Sequence, residues 1–209
     1  MKYLKHRKEV ASFMRRLYYQ KLTTTSGGNV SQRVEDVIMI TASQSDKASI
    51  DEHQVGLLTI SGEILSENLK LSMESRIHLA IYNKRSDIKA IVHAHPVFAT
   101  SFTIAGKAIQ TNLAGESRAV LGEPIVAPYA LMGTQKLADN VALASLSGNV
   151  ILMENHGILT VGDNLLQAYD RMEVLEAAAK MTFITFLLGG GNSLTEIQLR
   201  EIDELFNNQ

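Results

Sequence analysis

The segment AIVHAHPVFAT, residues 90–100, sets the tightest limit on what this chain can fold into. Its small and apolar residues predict a buried strand over Ile88–His95, broken by imidazoles at His93 and His95. Residues two apart on a strand share a face, so both rings project the same way. That spacing suits two ligands to one metal ion, and it suits two hydrogen-bonded core histidines equally well. The chain has no cysteine, so no disulfide can form, and any metal must be held through nitrogen or oxygen.

A second histidine context lies in VILMENHGILTVG, residues 150–162, where His156 follows an apolar strand and precedes Gly157. Glycine permits a tight turn from which an imidazole can be aimed sideways. Alone, His156 reads as a turn residue. With His93 and His95 it completes three nitrogen donors, and three protein ligands plus an open position describe a catalytic zinc site. His6, His53 and His78 lack such flanks and read as structural.

In KLSMESRIHLAIY, residues 70–82, a helix is predicted over Met73–Lys84 with Ser72 as N-cap and Glu74 in its first turn. An acidic residue is favoured there by the helix dipole. Beside a polarised carbonyl the same carboxylate can act as a general acid or base. TTTSGGNVSQRV, residues 23–34, is a Gly-containing turn whose N–H groups and hydroxyls can form an anion site, and Thr41-Ala42-Ser43-Gln44-Ser45 is a second polar patch. Ser72 begins a helix whose N–H groups point outward. No Walker or dinucleotide glycine motif occurs, which excludes those modes of nucleotide binding.

The remaining pattern predicts one domain over residues 1–209. Helices are expected over 4–22, Gly133–Leu146 and Leu165–Leu188, and strands over Val37–Thr41, Val150–Met153 and Ile158–Val161. Gly56–Ile64 reads as strand, turn and strand. A Gly189–Gly191 break precedes a last helix, with Ser193 and Glu196 at capping-box spacing. Such a mixture implies an α/β sheet covered by helices. A net charge of −2 gives no reason to expect a nucleic-acid or anionic-membrane partner. The basic N-terminus reads as a surface helix rather than a targeting peptide, and no apolar run approaches membrane-spanning length, so a cytoplasmic location is expected.

SGGNVS at 26–31, ITAS at 40–43, LSMESRIH at 71–78, IVHAHP at 91–96, APYALMGT at 127–134 and ENHGILTVG at 154–162 follow one another in the order of a known family. Together they resemble the class II aldolases of the L-fuculose-phosphate aldolase type. The resemblance implies a three-layer α/β/α sandwich with a largely antiparallel central sheet, and a homotetramer with active sites at subunit interfaces. It implies Zn2+ on His93, His95 and His156, and Glu74 as catalytic acid/base. Gly28, Asn29, Thr41, Ser43 and Ser72 would contact a substrate phosphate. The implied reaction is reversible cleavage of a ketose 1-phosphate, a small-molecule sugar phosphate, to dihydroxyacetone phosphate and an aldehyde through a metal-stabilised enediolate. Met73 stands where these enzymes usually carry a second serine, and Gln44 where they carry a glycine. Residues 112–116 and the C-terminus lack the family's tyrosines. A 4-epimerase, a decarboxylase or a dehydratase on the same scaffold is the alternative, with Glu74 leaning toward aldolase because the epimerase branch usually has Asp there. A non-catalytic interaction module is disfavoured by the retained histidines and Glu74.

Overall fold

The computed structural model describes residues 3–67 and 69–207. Among them a seven-stranded sheet forms from β1 (Asn29–Val34), β2 (Val37–Thr41), β3 (Val55–Thr59), β4 (Ala90–Ala94), β5 (Ile125–Ala127), β6 (Val150–Met153) and β7 (Gly157–Gly162). The order is β3-β2-β1-β4-β7-β6-β5, and of these pairings β5–β6 alone is parallel.

Strand alternation sorts the core into two layers. Val30, Met39, Ala90, Val92, Leu152 and Ile158 face one side, against α1 (Leu4–Tyr19), α3 (Val97–Ala105), α4 (Gly115–Leu121) and α6 (Leu165–Leu187). Ile38, Ile40, Ile91, Ile151, Leu159 and Val161 face the other, against α2 (Ser75–Lys84) and α5 (Gln135–Ala144). This is the expected three-layer α/β/α sandwich. His93 shares the parity of Ile91 and therefore belongs to the α2 layer. A last helix, α7 (Glu196–Asn207), packs on α4. No helix of the described residues is long and apolar enough to cross a membrane.

Several boundaries differ from expectation. α1 stops at Tyr19 because Lys21 turns left-handed, at φ 61°. The second arm of the Gly56–Ile64 hairpin is reduced to one bridge, Leu58 to Ile64. The last helix is capped by Thr195 rather than Ser193: Gln198 Oε1 accepts the Thr195 N–H at 2.9 Å, and Thr195 Oγ1 accepts the Gln198 N–H at 3.4 Å. Residues 29–34 form a strand rather than a turn, with Asn29 opposite His93 in the register.

Candidate metal and acid–base site

β4 and β7 are neighbours at the centre of the sheet, and their ends bring the three predicted histidines together. β4 ends at Ala94, so His95 lies just past the strand rather than in it. The ring centroids of His93 and His95 are 4.7 Å apart, those of His93 and His156 are 5.0 Å apart, and those of His95 and His156 are 5.6 Å apart. One ligand nitrogen from each lies within 4.8 Å of the others. His93 Nδ1 donates to the Ile158 carbonyl at 2.8 Å, which leaves Nε2 as the nitrogen able to ligate an ion.

Gly157 makes this approach possible, though not through its turn geometry. The left-handed residue of the turn is Asn155, at φ 51°. A Cβ on Gly157 would meet His95 Cδ2 at 2.5 Å and the Ala94 carbonyl at 2.8 Å. The residue is needed for space.

The donor set fits a metal ion. His93 Nε2 and both ring nitrogens of His156 are buried without a well-aligned hydrogen bond among the described residues, the two Nε2 atoms facing the Glu74 carboxylate. Such buried polar atoms are costly unless something satisfies them. Three imidazole nitrogens suit zinc and related transition metals.

Glu74 stands between two of the rings. Its Oε2 is 3.1 Å from His93 Nε2 and its Oε1 is 2.9 Å from His156 Nε2. Burial alone raises the carboxyl, but the two imidazoles outweigh it and hold the group well below the usual carboxylate range. Burial lowers His93 as well, yet the Glu74 charge reverses that and the net direction is upward. Burial, with His93 and His156 alongside, pushes His95 down to about 3. Glu74 occupies the N-cap position of α2 rather than its first turn, because the helix begins at Ser75.

Asn29 Nδ2 donates to Glu74 Oε2 at 2.7 Å and to Ser72 Oγ at 3.2 Å, so both amide hydrogens are taken within the site. Ser72 Oγ also accepts the Glu74 N–H at 3.2 Å. With two N–H groups donating to it, the Ser72 hydroxyl keeps its own proton for a ligand. Thr41 is buried and its Oγ1 accepts the Val30 N–H at 3.2 Å, tying β2 to β1. Gly28 has φ +68°, and a Cβ there would lie 2.6 Å from the His93 carbonyl, so the loop needs glycine on both counts. Ser43 is held beside the Ser72 segment by its N–H bond to the Lys70 carbonyl at 2.8 Å. Gln44 is itself left-handed at φ 57°.

Sequence reasoning passed over two buried groups. His78, read as merely structural, contacts Asn29 and Ser31. Lys47 is 1% exposed and donates to the Ala42 carbonyl at 2.9 Å and to Ser45 Oγ at 3.0 Å. For Lys47 the usable signal was its place within six residues of the Thr41–Ser45 patch.

The family model described as "Class II Aldolase and Adducin N-terminal domain" matches residues 8–183. An L-fuculose phosphate aldolase of Methanocaldococcus jannaschii is 33% identical over 182 residues, covering 87% of this chain and 98% of the relative. A 3-oxo-tetronate 4-phosphate decarboxylase of Haemophilus influenzae is 31% identical over 182 residues, covering 84% of this chain and 86% of the relative. A solved L-fuculose 1-phosphate aldolase superposes with a TM-score of 0.87 at 31% identity, covering 97% of this chain and 96% of that one. With the sandwich, the histidine cluster and these likenesses in agreement, the protein is an enzyme of the class II aldolase family, within the class II aldolase and adducin N-terminal domain group.

Proposed function

We propose that the protein is a zinc-dependent aldolase that reversibly cleaves a ketose 1-phosphate to dihydroxyacetone phosphate and an aldehyde. One observation carries the reading: His93, His95 and His156 converge, and the Glu74 carboxylate sits within 3.1 Å of two of them. The three imidazoles would hold the ion. Bound there, zinc supplies Lewis-acid polarisation of a carbonyl oxygen. Glu74, kept ionised, takes or returns the proton at the adjacent carbon. Ser72, Ser43 and the Gly28 loop bind the phosphate end, with Ser72 donating the proton that its other contacts leave unused. Asn29 and Thr41 hold that end in register with the histidines. The working assembly is a homotetramer with its sites at subunit interfaces, supported by the exposed Phe183, Phe186, Leu187 and Leu188 at the end of α6.

The second reading is decarboxylation of a 3-oxo acid phosphate. Met73, 64% exposed beside Glu74, keeps it open as a change on the phosphate side, and the Haemophilus relative makes it concrete. Loss of CO2 and loss of an aldehyde leave the same kind of carbon nucleophile, so one site can serve either. The test is a panel of ketose 1-phosphates and 3-oxo acid phosphates, followed for dihydroxyacetone phosphate and for CO2. The expected outcome is dihydroxyacetone phosphate release with about one zinc per chain. His93→Ala is expected to lose the metal, and full zinc occupancy in that variant would overturn the ligand assignment. CO2 release alone would move the protein to the second reading.

A further inference from the structure

Behind Glu74 and Asn29 lies a buried chain of polar groups, His78, Ser31 and Tyr82, that neither reading uses. Tyr82 Oη is 2.8 Å from Ser31 Oγ, and Ser31 Oγ is 2.6 Å from His78 Nδ1. His78 Nε2 is 2.5 Å from Asn29 Oδ1, and Asn29 Nδ2 is 2.7 Å from Glu74 Oε2. Tyr82, Ser31, His78 and Asn29 are all at most 2% exposed. The chain zigzags between α2, with Tyr82 and His78, and β1, with Ser31 and Asn29, and ends at Glu74, the cap of α2.

Its proton positions follow from one end. A carboxylate only accepts, so Asn29 must turn its NH2 toward Glu74 and its carbonyl toward His78. His78 Nε2 must then carry the hydrogen. With the ring neutral, Nδ1 is left as acceptor, Ser31 donates to it, and Tyr82 donates to Ser31. Burial, with His93 also nearby, pushes His78 down to about 3, which keeps the ring neutral. Every donor finds an acceptor in one direction only, and each bond polarises the next.

We propose that His78 is a positioning residue for the reaction: backed by Ser31 and Tyr82, it locks the Asn29 amide so that its N–H meets Glu74 and aims that carboxylate at the reacting carbon. The inference rests on Glu74 being the proton-moving group. Without His78, the Asn29 carbonyl loses its buried donor and the amide is held from the Glu74 and Ser72 side alone, so that it can tilt away from the geometry that aims the carboxylate.

Two measurements test it. The first needs no turnover: nitrogen-15 correlation spectra of His78 in the zinc-loaded protein should show the Nε2–H tautomer, neutral from pH 5 to pH 8. An Nδ1–H tautomer, or protonation within that range, overturns the proposal. The second is a cycle of His78→Leu, Asn29→Ala and the double variant. His78→Leu should lower kcat about 10- to 100-fold, the size of one hydrogen bond to a charged group, with KM and zinc content little changed. His78→Gln, which keeps a donor toward Asn29, should recover part of the loss. The double variant should be no worse than Asn29→Ala alone, because His78 acts through Asn29. Additive losses, or a His78→Leu effect confined to KM or zinc content, overturn the proposal. Should His78→Leu fail to fold, Tyr82→Phe takes its place with a smaller loss of the same kind. Wild-type protein inactive on every substrate would sink the assignment of function while the spectra still decide the proton chain; active wild type with an additive cycle would sink the proton chain alone.

Discussion

The two ends of the site are built from different materials. The histidine end comes from paired strands at the centre of the sheet: His93 on β4, His95 just beyond it, and His156 in the turn into β7. The other end is made of loops, with Gly28 and Gln44 both left-handed and Lys47 buried beneath Ala42 and Ser45. Strand pairing fixes side-chain direction over the whole ladder, whereas a loop fixes it by local bonds. The groups whose direction is most tightly fixed therefore sit at the ends of the paired strands, and the loops lie where sequence can change cheaply.

The largest effect should come from the rigid end. Glu74→Gln removes the acid/base group while leaving the three imidazoles in place. Turnover should fall by about 10²–10⁴-fold with zinc content unchanged. Steady-state rates beside metal analysis check this, and unchanged turnover would remove Glu74 from the mechanism.

Next comes the packing that lets the histidines meet. Gly157→Ala would press a methyl against His95 and the Ala94 carbonyl, where 2.5 Å and 2.8 Å are available. Overpacking of this kind costs about 1–3 kcal/mol. Thermal unfolding of the metal-free protein should show the loss, and zinc affinity should fall with it as His95 is displaced. A variant with native stability and affinity would mean that the strand ends are softer than the sheet around them.

The loop end should show itself through pH. Burial pushes Lys47 down to about 8, from an ordinary lysine value near 10.5. No carboxylate among the described residues pairs with it at salt-bridge distance; its contacts are the Ala42 carbonyl and Ser45 Oγ. Between these two values the unfolded chain binds more protons, so stability rises with pH. The penalty is fully present below pH 8 and is relieved as pH rises toward 10.5. Relative to Lys47→Met, the wild type should gain about 2 kcal/mol between pH 7.5 and pH 10. Parallel unfolding curves across that range would show that the ammonium is better solvated than its burial implies.

The same division governs what the sequence disclosed. His93, His95 and His156 were legible because strand parity and flanking apolar runs fix where a side chain points. α6 was legible because Leu165, Ala168, Tyr169, Met172, Leu175 and Ala179 repeat at helical spacing. β1 was not, because NVSQRV carries polar residues whose partners lie far along the chain: Ser31 is 47 residues from His78 and 51 from Tyr82. His78 looked inert for the same reason, since its bond to Asn29 spans 49 residues. Short α3 and α4 escaped notice because their apolar content, as in VFATSFTIA, carries little helical periodicity. Tertiary hydrogen bonds, unlike periodicity, leave no local mark.

The smallest effect tests whether the loop end reads phosphate at all. Met73 is 64% exposed, and a Cβ on Gly133 would lie 3.8 Å from its own Cβ, so it adjoins the segment that carries the exposed Leu131 and Met132 and adds to an apolar lip next to Glu74 in the chain. Met73→Ser adds a hydroxyl next to Ser72 without disturbing a buried contact. A neutral donor to a phosphate oxygen at a partly solvated site is worth about 1 kcal/mol. KM for the phosphorylated substrate should fall about fivefold, with kcat nearly unchanged, because the new bond forms equally in the bound substrate and in the transition state. An unphosphorylated analogue should gain nothing. If KM rises for both, the lip touches an apolar part of the substrate, and the phosphate lies toward Gly28 and Ser43 instead. The variant thus separates two ways in which one loop can face a sugar phosphate, while the histidines at the strand ends stay as they are.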